Sequence, residues 1–473
     1  MSTTSASHPN APGRVLSTLN EDGSRRWLRP KLSPGNFWRI RRVVAYLLMV
    51  IFFLIPYLRL NGKPLVLLDV PHRQFTLLGY TFLPTDTLLF MLLLMSIAIS
   101  IFLLTALFGR VWCGWACPQT VYMEFLFRPI ERFFEGGRSG SLSIDKAGGL
   151  KARRLAKNGV YFLLALFLAH TFLAYFVGIE QLVQWVQRSP LEHPTSFLIM
   201  AGTTALIFFD FAYFREQTCL VACPYGRLQS VLLDRQSVIV GYDPLRGEPR
   251  AHQVKDRPAG AGDCIDCGAC VLTCPTGIDI RDGLQMECIH CTQCADACDA
   301  IMDKVGKPRG LIRYTSRDEV EGKPTRLLRP RVILYPAALV VAVGLLAFNL
   351  GTKADTDVTL LRGAGAPFTR QPDGSVVNQV RVKITNRDAG ERTYRLELSG
   401  VEGGSLIAPQ NPVTVPGSRT TETSVFVVVP EERFEDDRLP SVIRVTDGAG
   451  FTLDIPFELV GPARERHDDR DPE

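Results

Sequence analysis

Residues 264–275 read CIDCGACVLTCP, and residues 288–298 read CIHCTQCADAC. Both runs share the spacing C-x2-C-x2-C-x3-C. Three thiolates so spaced wrap one corner of an iron–sulfur cube, and the fourth, further on, points to a second cube. The spacing therefore assigns Cys264, Cys267, Cys270 and Cys298 to one [4Fe–4S] cluster, and Cys288, Cys291, Cys294 and Cys274 to the other. Crossed ligation ties the two runs into a small pseudo-symmetric unit whose fold depends on metal. Zinc takes its ligands as two pairs and leaves the third and fourth cysteine of each run unexplained. Disulfides belong in an oxidising compartment, and the charge distribution described next puts this stretch in a reducing one.

The chain has 473 residues, 46% of them hydrophobic, and eight of its 12 cysteines lie in this stretch. That length allows about two to four domains, and the positive mean hydropathy leans toward a membrane protein. The net charge of +5 is modest. No basic patch interleaved with aromatics suggests nucleic acid, and no phosphate-binding glycine loop or dinucleotide fingerprint is present.

Five stretches are long and apolar enough to cross a bilayer as helices: Val43–Leu60, Asp86–Phe108, Gly159–Ile179, Ser196–Phe214 and Val332–Leu350. Pro56 within the first and Pro336 at the start of the last are tolerated where neighbours satisfy the freed carbonyls. Arg39, Arg41 and Arg42 precede the first span. Arg110, Arg128, Arg132, Lys151, Arg153 and Arg154 fill the second connection, and Arg326, Arg329 and Arg331 precede the fifth span. The first and third connections carry few such charges. This bias puts the N-terminus and the cysteine stretch in the cytoplasm and the tail beyond Leu350 on the far side. Residues 1–38 are polar and rich in Ser, Pro, Gly and Arg, so a cytoplasmic segment that is disordered or loosely docked on the membrane is expected, without signal-peptide features.

In the tail, Val380, Val382 and Ile384 alternate with polar residues, as do Tyr394, Leu396 and Leu398, and again Phe451, Leu453, Ile455, Phe457 and Leu459. Ser424–Val429 is a continuous run suited to a buried strand, and Asn386-Arg-Asp and Asp447-Gly-Ala-Gly read as turns. About seven short strands suit an all-β immunoglobulin-like sandwich, which has no cysteine and needs no disulfide. The expected fold is thus a multi-domain membrane protein: a five-span α-helical bundle, a cytoplasmic bicluster insert and a C-terminal sandwich. Its expected divisions are 1–38, a four-span region over 39–235, the insert over 236–325, a fifth helix over 330–351, the sandwich over 355–462 and a charged tail over 463–473.

Two further motifs form a repeat. Arg110-Val-Trp-Cys113-Gly-Trp-Ala-Cys117-Pro118 follows the second span, and Arg215-Glu-Gln-Thr-Cys219-Leu-Val-Ala-Cys223-Pro224 follows the fourth. Both are C-x3-C-P. Thiols four apart on one helical turn share a face, and Pro118 and Pro224 fit the first turn of a following helix, whose positive dipole end lowers a thiol's pKa. If the two hairpins are pseudo-equivalent, Cys113, Cys117, Cys219 and Cys223 converge at the membrane surface. Thiolates suit Cu(I) or a dithiol redox step; the plain alternative is small buried residues where helices begin tightly.

Other polar residues in the spans are weaker leads. His170 lies mid-span and suits a helix–helix hydrogen bond or a functional role. Asp210 is expected to pair with Arg215 or relay a proton. Met91 and Met95 share a face that suits core packing, and His72 and His193 fall on the far side, within reach of a quinone headgroup or copper.

The segments GRVWCGWACPQTV (109–121), REQTCLVACPYGRLQS (215–230), VGYDPLRGEPR (240–250), GDCIDCGACVLTCPTGIDIRDGLQ (262–285) and GKPRGLIRY (306–314) together resemble the CcoG/FixG (RdxA) family. Asp299, where the second run of a common ferredoxin has proline, is in line with that family. The resemblance implies a membrane polyferredoxin of the bacterial inner membrane that reduces Cu(II) to Cu(I) for assembly of cbb3-type cytochrome c oxidase. Oxidase assembly factors or subunits are then its partners, and the C-terminal domain is periplasmic. The C-x3-C-P motifs also resemble those of membrane polyferredoxins of periplasmic nitrate and nitrous oxide reduction. Two rivals stand beside this reading: a quinol dehydrogenase subunit that only relays electrons, and a structural assembly scaffold. The electron donor is not set by the sequence.

Overall fold

The computed structural model describes residues 17–20, 22–60, 62–71, 73–83, 86–147, 152–251, 259–324, 329–388, 390–434 and 437–462. His72, Lys151, Arg326, residues 1–16 and the charged tail 463–473 lie outside them. The chain forms two compact units. The first holds four membrane helices, the insert and nearly all of a fifth helix; the second holds residues 59–63, 76–81 and everything described from Asn349 onward.

Among the described residues five helices are long and apolar enough to cross a membrane: Asn36–Tyr57, Thr87–Phe108, Ala152–Val177, Pro194–Phe214 and Pro330–Gly351. The first begins well before Val43 and takes Arg39, Arg41 and Arg42 into its opening turns. It starts there because Asp296 of the insert accepts hydrogen bonds from the backbone N–H groups of Phe37 (3.1 Å) and Trp38 (2.7 Å), satisfying donors that a helix start leaves free. Gly35 leaves no room for a side chain against the Asp296 carboxyl. Arg41, Ala45 and Met49 recur every fourth residue and form this helix's buried stripe. The second helix is apolar all round, so its sequence favours no face. Met91 and Met95 are exposed on it, contrary to the core packing expected of them. Pro336 lies inside the fifth helix rather than at its start.

The insert is framed by an antiparallel pair, Ile239–Tyr242 with Ile312–Thr315. Between them each cysteine run opens into a short helix, Ala269–Thr273 and Gln293–Lys304. Val240, Ile278, Ile280, Met302, Leu311 and Ile312 close its core around the cysteines. Asp299 accepts a hydrogen bond from the Gly310 N–H (2.9 Å) and so pins the loop ahead of the second strand.

Residues from Ser17 on do not form the disordered segment expected up to residue 38. They make a strap across the insert: Ser17 Oγ donates to Thr276 O (2.6 Å), Lys31 N to Leu272 O (2.8 Å) and Thr273 Oγ1 to Lys31 O (2.8 Å). Leu28 is buried over Gly277, whose φ of 72° and missing Cβ make that contact possible. The segment's polarity hid this, because the strap is held mostly by hydrogen bonds and ion pairs.

The second unit is a two-sheet sandwich. One sheet orders Ser405–Ile407, Arg419–Pro430, Ser375–Asn386 and Thr356–Arg362, with Thr369–Arg370 beside Ser375–Asn386; the other orders Val413–Val415, Arg392–Ser399, Arg438–Thr446 and Thr452–Val460. Alternate residues Val380, Val382 and Ile384 pack beside Val425 and Val427 of the neighbouring strand and face Tyr394, Leu396 and Ile443 of the other sheet, in a core with no exposure above 1% for these side chains.

Candidate functional site

The fold brings the eight cysteines of the insert around two neighbouring cavities. Cys264, Cys267, Cys270 and Cys298 line one, with Arg281, Met302 and Leu311. Cys274, Cys288, Cys291 and Cys294 line the other, with Pro275, Ile278 and Ile289. Cys270 touches both. The last cysteine of each run therefore stands with the first three of the other, as crossed ligation requires. Burial pushes the Cys270, Cys288 and Cys298 thiols up to about 12, and Cys294 well above its ordinary value. Bare, these four thiols keep their protons at neutral pH, so a metal has to displace them. Among the described residues no three His, Cys, Asp or Glu side chains converge to ion-holding distance. Burial and sulfur chemistry, with apolar walls and eight thiols in two sets, are what fit iron–sulfur clusters here.

The C-x3-C-P pairs do not sit on continuous helical turns. Cys113 lies in a short helix, Val111–Trp115, and Cys219 in a π-helical turn, Thr218–Ala222. Cys117 (φ −61°, ψ 127°) and Cys223 (φ −78°, ψ 107°) are extended, because a residue before proline is pushed out of the helical region. Pro118 and Pro224 then open the next helices, Pro118–Tyr122 and Pro224–Leu232. All four thiols lie close enough to feel one another's charge. Their pKa values rise rather than fall at Cys113, Cys117 and Cys219, with burial the main cause. Backbone N–H groups of Gln119 and Thr120 do favour a Cys117 thiolate, but burial outweighs them. Cys113 Sγ donates to Gln229 Oε1 (3.0 Å), and Gln229 is itself held by Tyr225 (2.7 Å) and Thr105 (3.2 Å).

The two sites touch. Cys113 forms one apolar cluster with Ile289 and Cys291. A Cβ on Gly114 would meet Ile289 O at 2.6 Å and the Cys291 backbone at 2.9 Å. Arg110 N donates to His290 Nδ1 (3.1 Å), and Trp115 Nε1 donates to Tyr314 OH (2.7 Å), which donates to His290 O (3.1 Å). Sequence reasoning missed His290, Gln229 and Gly114, since their roles depend on contacts far apart in the chain; CIHC alone offered the histidine.

Below these motifs lies a buried ion-pair network. Glu131 makes a bidentate pair with Arg215 (3.1 Å each) and also pairs with Arg29 of the strap. Glu216 meets Arg25 (3.3 Å) and Arg215 (3.5 Å), while Arg128 pairs with Glu124, which accepts from Gln293 of the insert (3.1 Å). Arg110 and Arg128, counted in the sequence only toward the charge bias of the second connection, are both buried. Asp210 does not pair with the Arg215 side chain; Gln119 (3.2 Å) and Thr218 hydrogen-bond it, because Glu131 holds the guanidinium. His170 bonds Leu166 O of its own helix (2.8 Å), not a neighbouring one, and lines a cavity of about 180 Å³ with His193.

Residues 214–317 match the family model of a 4Fe-4S dicluster domain, residues 89–136 that of a 4Fe-4S binding domain, and residues 346–462 that of an "IG-like fold at C-terminal of FixG". The first two together contain all twelve cysteines. The chain is 32% identical over 506 residues to "Nitrogen fixation protein FixG" of Rhizobium meliloti (strain 1021), covering 95% of each chain. It is 36% identical over 394 residues to "Protein RdxA" of Cereibacter sphaeroides, covering 79% of this chain and 82% of that one. "Protein RdxB" of the same organism is 35% identical over 424 residues, covering 84% and 88%. These matches, with five apolar helices, identify an iron–sulfur electron-transfer protein of the membrane. Such identity along nearly the full length of both chains leaves one conclusion: the chain belongs to the FixG/CcoG family, with RdxA and RdxB.

Proposed function

We propose that the protein is a cupric reductase that prepares Cu(I) for the copper site of a cbb3-type cytochrome c oxidase. The observation that carries this reading is the direct packing of Cys113 and Gly114 on Ile289–Cys291, which couples a soft-donor thiol set to the iron–sulfur insert. When bound, the two [4Fe–4S] clusters supply one-electron storage at low potential. Cys264, Cys267, Cys270 and Cys298 hold the first, and Cys288, Cys291, Cys294 and Cys274 the second. Cys113, Cys117, Cys219 and Cys223 take Cu(II) as substrate, and their sulfur favours the softer Cu(I) left after it gains one electron. On binding copper, Cys113, Cys117 and Cys219 give up the protons that burial otherwise keeps on them, so capture strengthens as pH rises. Gln229 orients Cys113. The charge bias of the connections supports a cytoplasmic insert and a periplasmic sandwich that meets the oxidase or its assembly factors.

A second reading draws on the 4Fe-4S binding match over 89–136, whose cysteines are Cys113 and Cys117. On that reading the four thiols hold iron, and the protein relays electrons without copper chemistry.

Anaerobic purification with metal analysis and EPR, on wild type and a Cys113/Cys117/Cys219/Cys223→Ser variant, separates the two. About eight irons per chain in both, as two cubes require, with Cu(II) reduced only by wild type, supports the reductase. Iron that falls by a third or more in the variant supports the relay. Equal copper reduction in both sinks the thiol mechanism.

A further inference from the structure

Arg41 is fully buried, one of the largest side chains with no exposure at all. Its place follows from the helix: Arg39 and Arg42 are exposed, while Arg41 heads the buried stripe with Ala45 and Met49. Its Nε donates to Gly114 O at 2.9 Å. Gly114 in turn lies against the Cys291 backbone. Among the described residues neither Nη1 nor Nη2 has a hydrogen-bond partner. The group whose charge Arg41 feels most is Cys291, ahead of Tyr314 and Asp296. Asp296 is engaged by the backbone of Phe37 and Trp38.

A guanidinium in such a place, with two amino groups unmatched, is strongly destabilising unless an anion faces it. Among the described residues no carboxylate hydrogen-bonds its amino groups, and the Asp296 charge it feels is already shared with the Phe37 and Trp38 N–H groups. What the surrounding residues imply is the second cluster, which with its thiolate ligands is anionic in both redox states and gains one more negative charge on reduction.

We infer that Arg41 is a positioning residue for the second cluster: its free amino groups donate to that cluster's sulfur, favour its reduced form, and raise its potential above that of the first. Among the charged groups around the first cavity, Arg281 is taken up by Asp279 (2.6 Å) and by Asp266, so it has less charge to offer. The chain thereby sets the order of the two centres, with the cluster beside Cys113 the better electron acceptor. Hydrogen bonds to sulfur and nearby charge are among the factors that set cluster potentials. The inference rests on the crossed ligand assignment and not on copper reduction.

The test is an EPR-monitored redox titration of the full-length protein with both clusters in place, on wild type, Arg41→Gln, Arg41→Lys and Arg42→Gln. In Arg41→Gln one midpoint should fall by at least tenfold in its reduction equilibrium, about 59 mV for one electron, with iron content kept. Arg41→Lys keeps the charge but loses the fork, so it should show a smaller fall of a few fold. Arg42→Gln, on the exposed side of the same helix, should change nothing. A Cys267→Ser background perturbs the first cluster and identifies which signal moved. Unmoved midpoints in Arg41→Gln, or movement of the first cluster's signal, overturn the inference. If Arg41→Gln does not accumulate, an unmoved midpoint in Arg41→Lys overturns it equally. Loss of copper reduction with these shifts intact would count against the cupric reductase alone.

Discussion

Gly114 and Asp299 show what single positions do here. Gly114 sits between Cys113 and Trp115 and reads as an ordinary spacer between cysteines, yet its missing Cβ is what lets the first C-x3-C-P segment lie on the second cluster's loop. Gly114→Ala therefore forces these segments apart, at a cost of about 1–3 kcal/mol for overpacking. The expected outcome is a lower thermal midpoint and slower reduction of Cu(II) from chemically reduced protein, measured by stopped flow. An unchanged rate with unchanged stability would show that the contact is not the electron path. Asp299 was legible only as a departure from proline; its bond to Gly310 N gives it a structural task with no iron bond required.

At the scale of elements, the connections beside the insert are joined by charge rather than by apolar packing. Glu131, between the second and third membrane helices, holds Arg215 after the fourth and Arg29 of the strap. Burial works against its ionisation, but the charges of Arg215 and Arg29 prevail and hold it at about 2, below its ordinary 4.5. A depressed carboxylate adds stability above its unfolded pKa and loses it as pH falls through the folded one. Its contribution is thus full at neutral pH and is lost between about pH 4.5 and pH 2. Glu131→Gln leaves buried guanidinium groups uncompensated, which costs about 3–5 kcal/mol. Denaturation at pH 7 should show that loss, and the difference from wild type should shrink across the same acid window. A constant difference down to pH 2 would contradict the pairing. The sequence offered Asp210 as the partner of Arg215, and the fold gives it Glu131 instead, because a charge pattern records sign but not which distant groups meet.

For the whole molecule, the proposed orientation has the insert in the cytoplasm and the sandwich beyond the fifth helix in the periplasm. With the insert cytoplasmic, protease added to intact spheroplasts should remove the sandwich and leave the cysteine-rich insert whole. Digestion of the insert instead would reverse the proposed orientation. The five spans, the insert and the sandwich were each legible because each has its own pattern: unbroken apolar runs, cysteine spacing, and two-residue alternation at Val380, Val382 and Ile384. Helix limits were less so. The first helix gains its opening turns from Asp296, which is far away in the chain.

Spacing along the chain determined which cysteines belong to which set, since ligands two and three residues apart are fixed by local backbone geometry. It also determined the spans and the sandwich, whose signals are local repeats. Tertiary structure alone decided that the strap from Ser17 is ordered, that Cys117 and Cys223 leave the helix, and that Cys113 lies on Ile289 and Cys291. It alone turned Arg41 inward toward the second cluster's ligands. These outcomes depend on which distant surfaces meet, and on burial setting the energy of every charge caught between them.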